Sequence, residues 1–281
     1  MKIIRSPHEM QSACQKLKKN GKKIGLVPTM GALHEGHLSL IKKARKENDV
    51  VVVSIFVNPK QFGPNEDYLR YPRSFGKDVK LCKKEKVDFV FAPSAVSMYP
   101  DEYLTFVNVE QISEILCGKF RPGHFRGVAT VVSKFFNITQ PEKAYFGMKD
   151  FQQLKIIQRM GEDLNFPVKI VPCPVVREKG GLARSSRNTY LSARERFISK
   201  RIYESLQLAR YLVKSRKIKS SEKLRRVVKN FIKKIPSSRI DYVNVVDAKN
   251  LSFHKKINLP VAVAVAVWVG KTRLIDNTII R

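Results

Sequence analysis

"KKIGLVPTMGALHEGHLSLIKKARKENDVVVVSIFVNP", residues 22–59, fits a strand, a helix and a second strand into one short stretch. The run "KKIGLVP" (22–28) is apolar and ends at Pro28, the pattern of a strand buried on both faces. In "GHLSLIKKARKEN" (36–48), Leu38, Ile41 and Ala44 recur at helical spacing with Lys and Arg on the opposite face. "DVVVVSIFVNP" (49–59) is a second continuous apolar strand. Strand, short loop, helix and strand in this order make a βαβ unit, which implies parallel pairing and a right-handed crossover.

The alternation continues. Helix "FGKDVKLCKKEK" (75–86) precedes strand "VDFVFAP" (87–93), and helix "FRGVATVVSKFFNIT" (125–139) precedes "KAYFG" (143–147). Helix "DFQQLKIIQRMGEDL" (150–164) precedes "PVKIVPCPVV" (167–176). This pattern predicts an α/β domain over residues 1–177, a Rossmann-like doubly wound parallel sheet. After "REKGGLARSSRN" (177–188) the texture changes to helices over 193–214 and 222–234, then strands "RIDYVNVVD" (239–247) and "LPVAVAVAVWVG" (259–270). Leu224, Val227, Val228, Phe231 and Ile232 form an apolar stripe on the second helix, and valines alternate with Ala262, Ala264, Ala266 and Trp268 in the last strand. Residues 178–281 therefore read as a smaller α+β domain.

Composition narrows the function classes. With 281 residues, 43% of them hydrophobic, the chain can build one large core or two ordinary ones. It contains no apolar run long enough to span a membrane, and its N-terminus lacks an apolar signal core. Cys14, Cys82, Cys117 and Cys173 are widely spaced without a C-x-x-C pair, which suggests reduced core thiols in a cytoplasmic protein. The formal net charge is +30. Between Arg194 and Lys234 fifteen Lys or Arg face three Glu, yet they fall on helices with ordinary buried faces and match no nucleic-acid motif. A solvated basic surface is the simpler reading, and no specific nucleic-acid partner is expected. "VGKT" (269–272) imitates the end of a phosphate-binding P-loop, but Val265 stands where the earlier glycine is required and no helical pattern follows.

His34 and His37 stand where the first strand's carboxyl end feeds a helix, the crevice in which open α/β sheets bind ligands. Three residues apart on a helix, they share a face. "HEGH" lacks the spacing of a zinc pair, which leaves core histidines or donors to nucleotide phosphates. A helix start is also a ready anion site, and Gly31 and Gly36 allow close backbone approach.

Six segments carry a resemblance: "PTMGALHEGH" (28–37), "SIFVNPKQFGPNEDYLRYPR" (54–73), "RPGHFRGVATVV" (121–132), "AYFGMKDFQQ" (144–153), "GLARSSRNTYLS" (181–192) and "LIDNTII" (274–280). In this order, nearly end to end, they resemble the pantothenate synthetase (pantoate–β-alanine ligase) family of the nucleotidylyltransferase superfamily. The resemblance implies an ATP-dependent ligase in which pantoate is adenylated, pyrophosphate leaves, and β-alanine displaces AMP to give pantothenate. It implies that Met30, Gly31, Ala32, Leu33, His34, Glu35, Gly36 and His37 cradle ATP, with both imidazoles on its phosphates and His37 matching the family's proton donor. Gln61 and Gln153 would hold pantoate from two sides, an amide being able to donate to a carboxylate and accept from a hydroxyl. Gly147, Met148, Lys149 and Asp150 would form a second ATP loop, with Lys149 offsetting phosphate charge. Asp150 would cap the following helix, or touch the ribose or the water shell of magnesium. Arg184, Ser185, Ser186 and Arg187 would clamp the departing pyrophosphate, and Val176 would lie against adenine. Magnesium would accompany ATP, held by phosphate oxygens and water. The family also implies a homodimer through the N-terminal domain, and the clamp's place at the junction suggests that the C-terminal domain is a lid. Arg184 and Met148 depart from the residues common in the family. Arg184 would tighten ATP or point to solvent, while Met148 would contribute its backbone.

Overall fold

A computed structural model describes residues 1–64 and 66–281; Asn65, within the second quoted motif, lies outside the described residues. The first layer set runs β1 (Lys2–Ile4), α1 (Pro7–Lys19), β2 (Ile24–Thr29), α2 (Glu35–Glu47), β3 (Val50–Ile55), α3 (Phe75–Lys84), β4 (Phe89–Phe91), α4 (Ala95–Met98), α5 (Cys117–Phe120), α6 (His124–Thr139), β5 (Lys143–Gly147), α7 (Phe151–Asp163) and β6 (Lys169–Cys173). The strands form one parallel sheet in the order β1-β4-β3-β2-β5-β6. The order reverses between β2 and β5, whose Leu26 and Ala144 are in register. Loops leaving those two strands therefore emerge side by side at the switch point, where the site is found.

Both faces of this sheet are covered. Ile24, Leu26, Val50 and Val52 point into a core built with α1, α6 and α7, while Val27, Val51, Val53 and Val90 point into a second one built with α2 and α3. This double burial is why the central strands read as unbroken apolar runs. On α2, Leu40, Ile41 and Ala44 are the buried residues, one stripe of an otherwise charged helix. The four cysteines are buried and unpaired. Helix α6 is apolar nearly all round, and Gly127 on it meets the short 3-10 turn Pro59–Gln61 so closely that a Cβ there would lie 2.1 Å from the Lys60 carbonyl oxygen.

The chain then enters α8 (Ala193–Lys214), α9 (Ser221–Lys233) and an antiparallel sheet β7 (Ser238–Asp247), β8 (Val261–Val269), β9 (Thr272–Ile280) in that spatial order. Ser192 and Glu195 cap α8 reciprocally, each side chain accepting from the other's backbone N–H. On α9, Leu224, Val228 and Ile232 are buried, while Val227 and Phe231 are partly so. Strand β8 has two insides. Its five valines join α8 and α9 in one core, while Ala262, Ala264 and Ala266 are buried against the core of the large sheet's α6 and α7 side. "VGKT" closes the β8–β9 hairpin, with Gly270 in the left-handed region, and a strand follows it. No helix among the described residues is long and apolar enough to cross a membrane.

Five elements lie outside the sequence pattern: β1, α1, the single-turn helices α4 and α5, and β9. Strand bounds also shorten where the chain must turn, as in β4, confined to Phe89–Phe91 between Lys86 at φ +54° and Pro93.

Candidate active site

At the switch point the loop after β2 delivers His34 and His37 at the start of α2. Their rings stack with centroids 4.1 Å apart. Nδ1 of His34 accepts from the Gly36 N–H (3.1 Å), and Nδ1 of His37 accepts from the His34 N–H (3.4 Å). Each ring therefore carries its proton on Nε2, a donor left over for a ligand. Burial, with Lys149 and Arg184 nearby, lowers His34 to about 4. Burial, then His34 and Lys149, holds His37 well below the usual histidine range. Near pH 7 both rings are neutral N–H donors.

The cradle before them is internally bonded. Gly31 N–H donates to Thr29 Oγ1 (3.1 Å), and the Ala32 and Leu33 N–H groups donate to the buried carboxylate of Asp78 (2.9 and 2.8 Å). These amides are engaged, so the loop presents its shape and Met30 rather than free N–H donors.

His34, His37, Met30, Gln61, Gln153, Lys149, Asp150, Val176 and residues 184–187 line one cleft of about 210 Å³. It continues through Arg121, Lys149, Asp150, Gln153, Ser185 and Arg187 into a larger cavity of about 680 Å³ between the two sheets. Gln61 is buried: its Nε2 lies 3.1 Å from Met30 Sδ, and its Oε1 accepts from Asn58 Nδ2 (3.0 Å). Asn58 also donates to the Gly127 carbonyl and accepts from Tyr99, so the "NPKQFG" and "RPGHFRG" motifs are two halves of one contact. Behind them His124 Nδ1 meets the Gln61 carbonyl (2.8 Å), and Arg121 binds His124 Nε2 and both oxygens of Glu66. Of the adjacent glutamines, Gln152 is spent on the Cys117 N–H and on the Ile112 and Ile115 carbonyls, leaving Gln153 to face the cleft.

Lys149 pairs with Asp150 at 3.4 Å. The Asp150 side chain does not cap α7, although the residue stands at its N-terminus. Met148 turns its side chain into the core and offers its carbonyl oxygen; Asn277 Nδ2 on β9 donates to it and to the Lys149 carbonyl (2.9 Å each). Arg184 points neither freely into the cleft nor freely to solvent: it pairs with Glu35 (3.3 Å) and Glu178 (3.4 Å). Ser185 Oγ accepts from the Arg187 N–H, and Ser186 Oγ donates to the Ala32 carbonyl (3.2 Å). Arg187 forms a two-pronged pair with Asp67 (2.8 and 2.7 Å), whose carboxylate occupies the fork that a phosphate could take. Asn58 and Asp67 lie in the quoted second motif, whereas Asp78 has no local signal, being one carboxylate on a lysine-rich helix.

Among the described residues no cluster of three His, Cys, Asp or Glu forms a metal cage. Asp150 is the one carboxylate among the described residues that line the smaller cleft, an oxygen group that would fit the water shell of a magnesium ion brought in by a nucleotide.

Comparison with known proteins shows the family. The family model described as pantoate-beta-alanine ligase matches residues 2–279. The pantothenate synthetase of Endomicrobium trichonymphae is 55% identical over 99% of this chain and 97% of its own length. That of Thermotoga neapolitana is 53% identical, covering 100% of both. Among solved structures, the pantothenate synthetase from Thermus thermophilus superposes with a TM-score of 0.93 at 42% identity, over 99% of each chain. The pantoate-beta-alanine ligase of Francisella tularensis, complexed with beta-gamma ATP and beta-alanine, gives 0.82 at 39% identity, over 99% of this chain and 97% of that one. Family model, relatives and fold agree: the chain belongs to the pantoate–β-alanine ligase family.

Proposed function

We propose that this ligase condenses pantoate with β-alanine in two steps. A pantoate carboxylate oxygen attacks the α-phosphorus of ATP and the α–β anhydride bond breaks, so pyrophosphate leaves with the bonding pair. The β-alanine amine then attacks the acyl carbon of the pantoyl adenylate; the bond from that carbon to the phosphate oxygen breaks, AMP leaves, and the nitrogen loses a proton.

The observation that carries this reading is the close histidine pair at the switch point, with neither Nε2–H spent on another described residue, in a cleft that Lys149 and Arg187 also line. Neutral imidazoles donate hydrogen bonds to the phosphates and stabilise charge as the bond breaks, without giving up a proton. Lys149 and Arg187 supply positive charge for pyrophosphate by exchanging Asp150 and Asp67 for its oxygens, and magnesium enters as part of the nucleotide substrate. Gln61 and Gln153, which both line the cleft, are the pair for pantoate. Residues 1–177 carry nucleotide and pantoate, and residues 178–281 act as a lid that shields the adenylate from water. Support for the lid comes from Asn277 reaching from β9 onto the Met148–Lys149 loop. X-ray scattering curves that stay identical on adding ATP and pantoate would sink it. A homodimer, read by light scattering, and residence in a reducing cytoplasm complete the proposal.

The test follows pyrophosphate and AMP release from MgATP, with pantoate alone and then with β-alanine, in wild type and His37→Ala. Sustained AMP formation that needs both acids and is lost in the variant is the expected result. Nucleotide turnover indifferent to β-alanine would instead mark an enzyme that stops at nucleotidyl transfer.

A further inference from the structure

We propose that Asp78 is a positioning residue for ATP: from outside the cleft it holds the Gly31–Leu33 loop in the form that nucleotide binding requires. The inference rests on the ligase reading for the identity of the nucleotide, and on geometry for everything else.

Asp78 lies in the first turn of α3 and is 1% exposed. It lines neither cavity, so it is not placed to touch substrate. Its hydrogen-bond partners are uncharged: the Ala32 N–H on Oδ2, the Leu33 N–H on Oδ1 and the Ser74 hydroxyl on Oδ1 (3.2 Å). A carboxylate hidden from water is costly unless its acceptor sites are filled. Here two amides from a segment 45 and 46 residues away fill them, with help from the positive end of α3. Hydrogen bonds to an ionised acceptor are about twice as strong as neutral ones, so the loop is held firmly.

The loop needs holding. Gly31 and Ala32 both sit in the left-handed region, at φ +78° and +48°. For alanine that conformation is strained and persists only where the surroundings impose it. Gly31 also lets the carboxylate approach, since a Cβ there would lie 3.0 Å from Asp78 Oδ2. The Ala32–Leu33 peptide unit is held at both ends: Leu33 N–H by Asp78, and the Ala32 carbonyl by Ser186 Oγ of the clamp. One residue later the chain reaches His34. Asp78 thus sets the loop that delivers the imidazoles and the peptide on which the clamp rests.

Asp78→Asn is close in shape, yet it turns one acceptor into an NH₂ group facing an amide N–H. We expect kcat/KM for ATP to fall by about 10²-fold, the scale of an ångström-size misplacement. The KM for β-alanine should be unchanged, and calorimetry should show weakened ATP binding. A folded Asp78→Asn enzyme with wild-type ATP affinity and kcat/KM would overturn the inference. So would an equal loss toward all three substrates, which marks mere instability. If that variant does not fold, Ser74→Ala decides: it removes one hydroxyl from Oδ1 and leaves both amide bonds. A several-fold rise in ATP KM at unchanged melting temperature supports the role, and an unchanged ATP KM refutes it. Wild-type enzyme in the same assay keeps the questions apart. If it binds ATP without making pantothenate, the ligase reading fails while the ATP-affinity comparison still judges Asp78.

Discussion

Gly127→Ala is the substitution whose consequence can be worked through most fully. The added Cβ would stand 2.1 Å from the Lys60 carbonyl oxygen, 2.4 Å from its carbon and 2.7 Å from the Gln61 nitrogen, all backbone atoms. Restoring an ordinary contact, near 3.4 Å, requires α6 and the Pro59–Gln61 turn to part by more than about 1 Å, and no side chain can rotate away to provide it. Overpacking of this kind costs about 1–3 kcal/mol. Helix propensity opposes it with a gain of about 1 kcal/mol for replacing glycine. The net effect is a melting temperature lowered by a few degrees, at roughly 2–4 °C per kcal/mol for a chain of this size. Catalysis should suffer more than stability. Asn58 bridges the Gly127 carbonyl and the Gln61 amide, so the same displacement moves Gln61 and should lower kcat/KM for pantoate by about 10²-fold. Steady-state kinetics and a thermal melt on one preparation measure both. Gly76→Ala on α3, where a Cβ would meet nothing within 4 Å, is the control and should gain about 0.4–1 kcal/mol. A Gly127→Ala enzyme with wild-type pantoate kinetics would refute the reasoning.

Other perturbations have equally definite signs. His37→Ala and His34→Ala should each slow pyrophosphate release from MgATP and pantoate by about 10²–10³-fold, read by a coupled phosphate assay, without unfolding the protein. His34 is lowered from 6.5 to about 4, so between those values the unfolded chain binds more protons than the folded one. Its contribution makes stability rise with pH from about 4 to 6.5, an increment that denaturant titrations should show and that His34→Gln should diminish. Arg177→Ala leaves Asp276 buried without the guanidinium that binds both its oxygens and should cost about 3–5 kcal/mol. Burial already raises the Asp276 carboxyl, and losing Arg177 raises it further. The folded variant then holds a proton that the unfolded chain releases, so its melts should improve as pH falls and worsen as it rises.

Periodicity carries the large sheet because β2 and β3 are buried on both sides, and α8 because its capping box and buried stripe agree on one helix. Elsewhere local pattern fails for identifiable reasons. On α1 only Met10 and Cys14 are fully buried, too thin a stripe to announce a helix. Strand β1 has three residues. On β9, Asp276 and Asn277 break the apolar alternation yet are buried, one neutralised by Arg177 and the other spent on the Met148 and Lys149 carbonyls. The site divides in the same way. His34 and His37 declare themselves through a glycine-flanked helix start after a buried strand. Asp78 and Asp67 look like solvated charges until the fold brings them to partners about 45 and 120 residues away.

The two-sided burial of β8 bears on how the smaller sheet finds its alignment. A strand with one dry face can slip by two residues and keep its pattern. Here a slip by one would drive valines into the space cut for alanine and leave alanines as voids against α8 and α9. A slip by two keeps both faces apolar but drags the Gly270 turn out of place. The larger sheet's helices thus serve as a gauge block for the register of β8, and through it for the height at which Asn277 meets the Met148–Lys149 loop.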